Sequence, residues 1–293
     1  MKHNISLFLV VTVLLLPAVS AIAGPRCKNL AGESGYFLDN MMTSGGLTRA
    51  YDLYVPRKHK RNRPTPLVFN FHGFPSDSQF QFWYSEMSKL ADKHGFILVM
   101  PQGIESSWNA GICCGDARDD GIEDVQFVSD LIDEISEQYC ISPKRIFSTG
   151  WSNGALRSAR LACELSARIA AVALVGGVDL TEECDPSRPV PLLEIHGTDD
   201  GVVPYLGGTM IPIPGGTLWP IPDGWETIQG WASMNGCSEE WVDTYQRGDA
   251  SCVAAVDCEG DADVEHCWME GGGHNWPGDI DICSLLPPGS GCY

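Results

Sequence analysis

Basic residues are scarce in this 293-residue chain: 19 Lys and Arg stand against 38 Asp and Glu, a formal net charge of −19. A surface of that sign repels phosphate backbones and anionic headgroups, which argues against nucleic acid or a membrane surface as partner. It also disfavours a polyanionic substrate. Charged residues make up only 19% of the chain and hydrophobic ones 44%, enough apolar material for a buried core and too much for a disordered chain. No repeat period is visible, so solenoid and collagenous folds fall away. Beyond residue 16 no apolar run reaches the length of a membrane span. The pattern Cys-x-x-Cys does not occur, so the cysteines do not read as a metal or redox centre.

Cysteine itself is plentiful, at 12, and the N-terminus accounts for it. Lys2 and His3 precede an apolar run from Ile5 to Leu16, broken only by Ser6 and Thr12, and Ala21-Ile22-Ala23 is a small-x-small cleavage site. Residues 1–23 read as a secretory signal peptide cleaved near Ala23. Cys27 lacks the preceding leucine and small residues of a lipoprotein site. The expectation is an exported, membrane-free mature chain whose cysteines are paired, the even count permitting full pairing but fixing no connectivity. Residues 24–293 then form one catalytic domain with a Cys-containing C-terminal loop carrying Cys283 and Cys292.

Short apolar runs alternate with helical patterns along that domain. Strands are expected over 51–55, 67–71, 96–100, 145–149, 171–175, 192–196 and 264–269, and helices over 79–94, 125–139, 225–234 and directly after Ser152. In 125–139, Phe127, Val128, Leu131, Ile132 and Ile135 recur at three and four. Such alternation predicts an α/β domain with a largely parallel sheet covered on both faces. The stretch 206–224, rich in Gly, Pro and Ile, reads either as a lid over one end of the sheet or as a plain surface excursion.

Gly150-Trp151-Ser152-Asn153-Gly154 fits G-x-S-x-G and lies between a strand and a helix, the setting that presents a serine at a sharp turn. Serine needs a base. His274, in Glu270-Gly271-Gly272-Gly273-His274-Asn275-Trp276-Pro277, follows the last strand in a glycine loop. His72 and His196 read as loop-shaping residues after strands, and His266 as a strand residue without a catalytic role. The base in turn needs an acid, and Asp199 and Asp200 both follow the strand at 192–196. Serine, acid and histidine in that chain order, each after a strand, is the order of the α/β-hydrolase triad. An oxyanion would be met by the backbone N–H of Asn153 and by that of Phe74, with Gly73 the alternative, from the loop after the strand at 67–71.

These residues, with His72-Gly73, the block Ser107-Trp108-Asn109-Ala110-Gly111-Ile112-Cys113-Cys114-Gly115, Glu123-Asp124-Val125, the stretch from His196 to Tyr205, Asn235-Gly236-Cys237 and the stretch from Gly271 to Gly278, resemble the secreted feruloyl esterases and polyhydroxybutyrate depolymerases related to carbohydrate esterase family 1. The resemblance spans nearly all of the mature chain. It implies an α/β-hydrolase fold, a catalytic set of Ser152, Asp200 (rather than Asp199) and His274, and no cofactor or metal. The family's elbow usually reads Met-Ser-Asn-Gly-Gly, so Trp151 departs from it and alters the pocket wall. Trp108, Trp151 and Trp276 are expected to line the substrate cleft. The acidic residues Asp116, Asp119, Asp120, Glu123 and Asp124 miss the spacing of a calcium loop; a solvated loop with Asp124 capping the next helix is the better reading.

The expected function is a secreted, monomeric serine esterase acting through an acyl-enzyme on feruloyl or acetyl esters of plant polysaccharide. Hydrolysis of a polyhydroxybutyrate-type polyester is the alternative. A serine peptidase and a catalytically silent binding protein on the same fold are the rivals of other classes.

Overall fold

The computed structural model describes residues 27, 30, 32–181, 183–210 and 219–278. Residues 1–23, expected to be a signal peptide, and the cysteines at 283 and 292 lie outside them. In chain order the strands are β1 (Gly35–Ser44), β2 (Leu47–Val55), β3 (Thr65–Phe71), β4 (Ile97–Pro101), β5 (Ile141–Trp151), β6 (Ala171–Val175), β7 (Leu192–Gly197), β8 (Gly208–Met210), β9 (Trp219–Ile221), β10 (Trp241–Arg247), β11 (Ala250–Ala255) and β12 (Val264–Met269). The helices are α1 (Ser78–Ser85), α2 (Met87–His94), α3 (Gly115–Asp119), α4 (Asp124–Gln138), α5 (Asn153–Glu164) and α6 (Gly224–Met234).

Ten strands form one sheet in the order β1-β2-β4-β3-β5-β6-β7-β12-β11-β10. The six central ones, β4, β3, β5, β6, β7 and β12, run parallel. The antiparallel pair β1-β2 closes one edge and β10-β11 the other. Central parallel strands are buried on both faces, which is why Leu67-Val68-Phe69 and Ile97-Leu98-Val99-Met100 are continuous apolar runs. Leu67 and Phe69 enter the main core with α4 and α5, whereas Val68 between them packs with Ala91 of α2, Leu98 and Met100 on the opposite face. This is the α/β-hydrolase architecture.

The helix expected over 79–94 is two helices. Glu86 sits between them at φ 49°, ψ 19°, a left-handed conformation that ends one helix and starts the next. Asn70 of β3 donates to Ser85 Oγ at 2.8 Å, tying the end of α1 to the sheet at that break. Strands β1, β10 and β11 were not expected from the sequence. The acidic loop also differs: Glu123 is the N-cap of α4 and makes no side-chain cap bond. Asp124 instead pairs with Arg49.

Among the described residues five disulfides join Cys27 to Cys140, Cys113 to Cys114, Cys163 to Cys184, Cys237 to Cys258 and Cys252 to Cys267. The four that close loops of 15 or more residues remove freedom from the unfolded chain, worth typically about 2–4 kcal/mol each, whereas the bridge between the neighbours Cys113 and Cys114 closes no such loop. With ten of the 12 cysteines so bonded, thiol titration of the denatured, unreduced protein is expected to find about two free thiols or fewer. More than about four would contradict this pairing.

Candidate active site

The turn from β5 into α5 is built around Ser152, held at φ 56°, ψ −124°. Its flanking glycines are a steric requirement. A Cβ on Gly154 would stand 2.3 Å from the carbonyl oxygen of Phe71, and one on Gly150 would stand 2.4 Å from that of Gly154. Both distances are far below van der Waals contact, so no larger residue fits either position. Ser152 N–H donates to Val175 of β6 at 2.9 Å. Asn153 opens α5, and its N–H therefore has no intrahelical acceptor.

Loop ends from the neighbouring strands converge on this turn. After β3, a Cβ on Gly73 would lie 3.2 Å from Ser152 Cβ, so the chain at 73–74 passes directly over the serine. After β6, a Cβ on Gly176 would lie 3.2 Å from His274 Nδ1. After β7, Asp200 Oδ2 lies 2.7 Å from His274 Nδ1, while Oδ1 accepts the N–H groups of Val202 and Val203, each at 2.8 Å. Asp199 is exposed, and its N–H donates to the Gly272 carbonyl at 2.9 Å. Ser152, Asp200 and His274 are buried at 8%, 6% and 6% exposure, shielded enough that charges there interact strongly. Burial alone would raise the Asp200 pKa, but His274 and His196 outweigh it and hold the carboxyl well below the usual carboxylate range.

His72 holds the loop after β3. Its Nε2 accepts from Gly103 N–H at 3.0 Å and its Nδ1 faces the Gly73 carbonyl at 2.7 Å, which assigns the proton to Nδ1. Burial lowers its pKa to about 4, against the opposing pull of the Gly73 carbonyl.

The expected aromatic lining needs correction at Trp108, which is fully buried. Its Nε1–H donates to the His72 carbonyl at 3.0 Å and its ring meets Phe71 edge-on at 5.1 Å. The Asn153 side chain fixes its backbone, Oδ1 accepting from Trp108 N–H at 2.8 Å and Nδ2 donating to Trp108 O at 3.1 Å. Trp108 is thus a core residue beneath the turn, and Asn153 explains why: its amide pulls the loop inward. Trp151 does stand at the site, its ring 5.0 Å from that of His274. Trp276 is partly exposed, and its backbone N–H donates to Tyr84 Oη at 2.6 Å.

Sequence reading missed the aromatic face of α1. Phe80 and Tyr84, one helical turn apart, have ring centroids 5.3 Å from each other, and Tyr84 lies 5.1 Å from Trp151. Trp83, 51% exposed, extends the row outward at 5.9 Å from Phe80. The rings thus run from the surface to His274. The i, i+4 spacing of Phe80 and Tyr84 was the available signal.

Behind the site, Arg49 and Asp124 are both buried and pair at 2.7 Å, with the guanidinium 3.9 Å over the Phe127 ring. Asp124 Oδ2 also accepts from Asn109 N–H at 2.8 Å, so this pair anchors the residue next to Trp108. Removing one partner strands a buried charge. Arg49→Ala is expected to cost roughly 3–5 kcal/mol in urea unfolding; a loss under about 1 kcal/mol would deny the pair this role.

Among the described residues, groups of three possible metal ligands occur at two places, Cys163-Asp179-Cys184 and Cys252-Glu265-Cys267. In each the two cysteines are already joined in a disulfide, and a bonded sulfur is not a thiolate ligand.

Residues 49–190 match the family model described as esterase, PHB depolymerase. The chain is 33% identical over 223 residues to feruloyl esterase B of Piromyces equi, covering 73% of this chain and 40% of that protein. It is 30% identical over 206 residues to feruloyl esterase D of Neurospora crassa, covering 65% of this chain and 68% of that one. The chain spans only 22% of the length of another relative, the bifunctional acetylxylan esterase/xylanase XynS20E of Neocallimastix patriciarum. Among solved structures, an acetyl xylan esterase from Aspergillus awamori superposes with a TM-score of 0.57 at 15% identity, over 78% of this chain and 90% of that one. That likeness is one of fold.

Proposed function

Because the chain belongs to the feruloyl esterase and polyhydroxybutyrate depolymerase family of α/β-hydrolases, we propose that it hydrolyses carboxylic esters through an acyl-enzyme on Ser152. The observation that carries this reading is the bond between His274 Nδ1 and Asp200 Oδ2 at 2.7 Å beside the strained serine turn. Nδ1 must hold its proton to donate to a carboxylate, which leaves Nε2 free to act as base. Ser152 Oγ attacks the ester carbonyl and passes its proton to His274. The carbonyl oxygen, now anionic, is met by the N–H of Asn153 and by one from residues 73–74. His274 gives its proton to the departing alcohol. Water then attacks the acyl group by the same route, its proton passing through His274 back to Ser152. No cofactor enters these steps.

The row formed by Phe80, Trp83 and Trp151, backed by the buried Tyr84, supports an ester with a flat aromatic acyl group, since ring faces stack on such a group and gain little from a short acetyl. The preferred substrate class is therefore a feruloyl-type ester on a neutral plant polysaccharide, met outside the cell by an exported monomer. A hydroxybutyrate polyester remains the second reading, favoured by the family model over residues 49–190. A panel of methyl ferulate, p-nitrophenyl acetate and butyrate, and soluble hydroxybutyrate oligomers tests the choice. The expected order in kcat/KM puts methyl ferulate first; oligomers ahead of it by tenfold would transfer the assignment to the polyester. Trp151→Ala is expected to raise KM for methyl ferulate by roughly tenfold, the value of one lost aromatic contact, with a smaller change for p-nitrophenyl acetate. Equal changes on both would remove Trp151 from acyl recognition.

A further inference from the structure

The sheet register sets a second layer of charge behind Asp200. Glu194 and His196 lie two residues apart on β7 and so share one face. In β12, His266 is paired directly with Glu194. All three side chains are 1% exposed or less. Glu194 Oε1 is 2.7 Å from His196 Nδ1, and Glu194 Oε2 is 2.6 Å from His266 Nδ1. On its other side His196 Nε2 is 2.9 Å from the Val203 carbonyl and 3.2 Å from Asp200 Oδ2. Asp200 Oδ2 is the oxygen that also faces His274.

Every neighbour of the two His196 ring nitrogens is therefore an acceptor. A neutral imidazole would aim one lone pair at an oxygen, and in a buried site that repulsion has no water to relieve it. The competing arrangement, with the proton on Glu194, is disfavoured by the second histidine. Tyr205 Oη lies 2.9 Å from His266 Nε2 and can donate to it. That leaves the His266 proton on Nδ1, facing Glu194 Oε2. One N–H, from His196, then bonds the carboxyl, and a second lies beside its other oxygen at 2.6 Å, which is the environment of an anion.

We propose that His196 is a permanent imidazolium clamped between Glu194 and Asp200, and that it serves as a positioning residue which fixes the acid of the active site. The role rests on the reading of Ser152, Asp200 and His274 given above. Asp200 divides one oxygen between two histidines. The His196 charge keeps Asp200 ionised and orients it, and it also weakens the pull of Asp200 on the His274 proton. Glu194 balances the buried cation and stands farther from His274, so the nearer positive charge dominates there. Burial opposes charge on His196, but its bonds to Asp200 and Glu194 prevail and push its pKa up to about 10. Burial likewise opposes charge on Glu194, and the bonds from His196 and His266 hold its pKa below the usual range. The titratable groups facing His196 are Glu194 from β7, Asp200 and Tyr205 from the turn after it, and His266 from β12, with His274 beyond Asp200.

Two measurements test this. In 15N-labelled protein, both ring nitrogens of His196 are expected to carry protons, with no titration between about pH 5 and 8. One unprotonated ring nitrogen in that range overturns the proposal. In His196→Gln, whose side chain keeps polarity and loses charge, the acid limb of the kcat/KM profile on p-nitrophenyl butyrate should move up by roughly 1 pH unit. A merely structural role would lower kcat and leave that limb in place, and this result would overturn the assigned role. Should that variant not fold, the Glu194→Gln/His196→Gln double variant, which buries no unpaired charge, carries the same test and the same expected direction. If Ser152→Ala retains full activity, the reading of the active site fails by itself; a doubly protonated His196 would then stand without its assigned role, which separates the two failures.

Discussion

Ser152→Ala is expected to lower kcat by roughly 10⁵–10⁶-fold while leaving the fold intact, because members of a nucleophile-base-acid set act as a unit. The turn itself should survive the change. Its conformation is imposed by backbone, by the bond from Ser152 N–H to Val175 and by the close approach of Gly150 and Gly154 to carbonyl oxygens, none of which involves the hydroxyl. Circular dichroism and the urea midpoint should therefore match the parent, which separates loss of the nucleophile from loss of structure. Incubation with p-nitrophenyl butyrate, acid quench and mass spectrometry should find the acyl group on Ser152 of the parent. Activity within tenfold of the parent, or an adduct on another serine, would remove Ser152 from the mechanism.

The turn at Ser152 was legible because it is a local feature. Gly150 and Gly154 are demanded by contacts within a few residues of Ser152 and with the adjacent strand end, so the pattern marks itself. The central strands were legible for a related reason. Burial on both faces makes β4, β6 and the Leu67-Val68-Phe69 segment of β3 unbroken apolar runs, and the apolar run over 171–175 coincides with β6. The edge strands carry no such mark. In β10 most residues are exposed, and β11, Ala250–Ala255, is made of small residues; their pairing is set by a hairpin and by the neighbouring β12, which no local composition reveals. Trp108 was misread because a tryptophan in a glycine- and cysteine-rich loop looks the same whether it lines a cleft or fills a core. What decides is the Asn153 side chain, 45 residues away, which draws the Trp108 backbone inward. Glu194 had a signal that went unused. A lone carboxylate in the apolar run Leu192-Leu193-Glu194-Ile195, with a histidine two positions on, must find a buried partner or not ionise. The strand register, which supplies His266 as that partner, was out of reach of a local reading.

The neighbouring acids Asp199 and Asp200 are expected to differ by a factor of 10² or more when each is replaced by asparagine. Asp200 presents both oxygens to donors: Oδ1 to the N–H groups of Val202 and Val203, Oδ2 to His274 and His196. An asparagine there would keep its carbonyl oxygen on the two backbone donors, since the amide nitrogen cannot accept from them. That forces its NH₂ toward His274 Nδ1. Two donors cannot face each other, so the imidazole must move its proton to Nε2, the nitrogen that has to be free to accept from Ser152. The same NH₂ would also meet the Nε2–H of His196. Asp200→Asn is accordingly expected to lower kcat by roughly 10³–10⁴-fold with a much smaller change in KM. Asp199 points to solvent, and only its backbone N–H is engaged, with Gly272; that bond survives any side-chain change. Asp199→Asn should cost less than about tenfold. The comparison is read on p-nitrophenyl butyrate with both variants shown folded by matched circular dichroism. A reversed order would move the acid to Asp199, and two small effects would mean that His274 takes its orientation from another group.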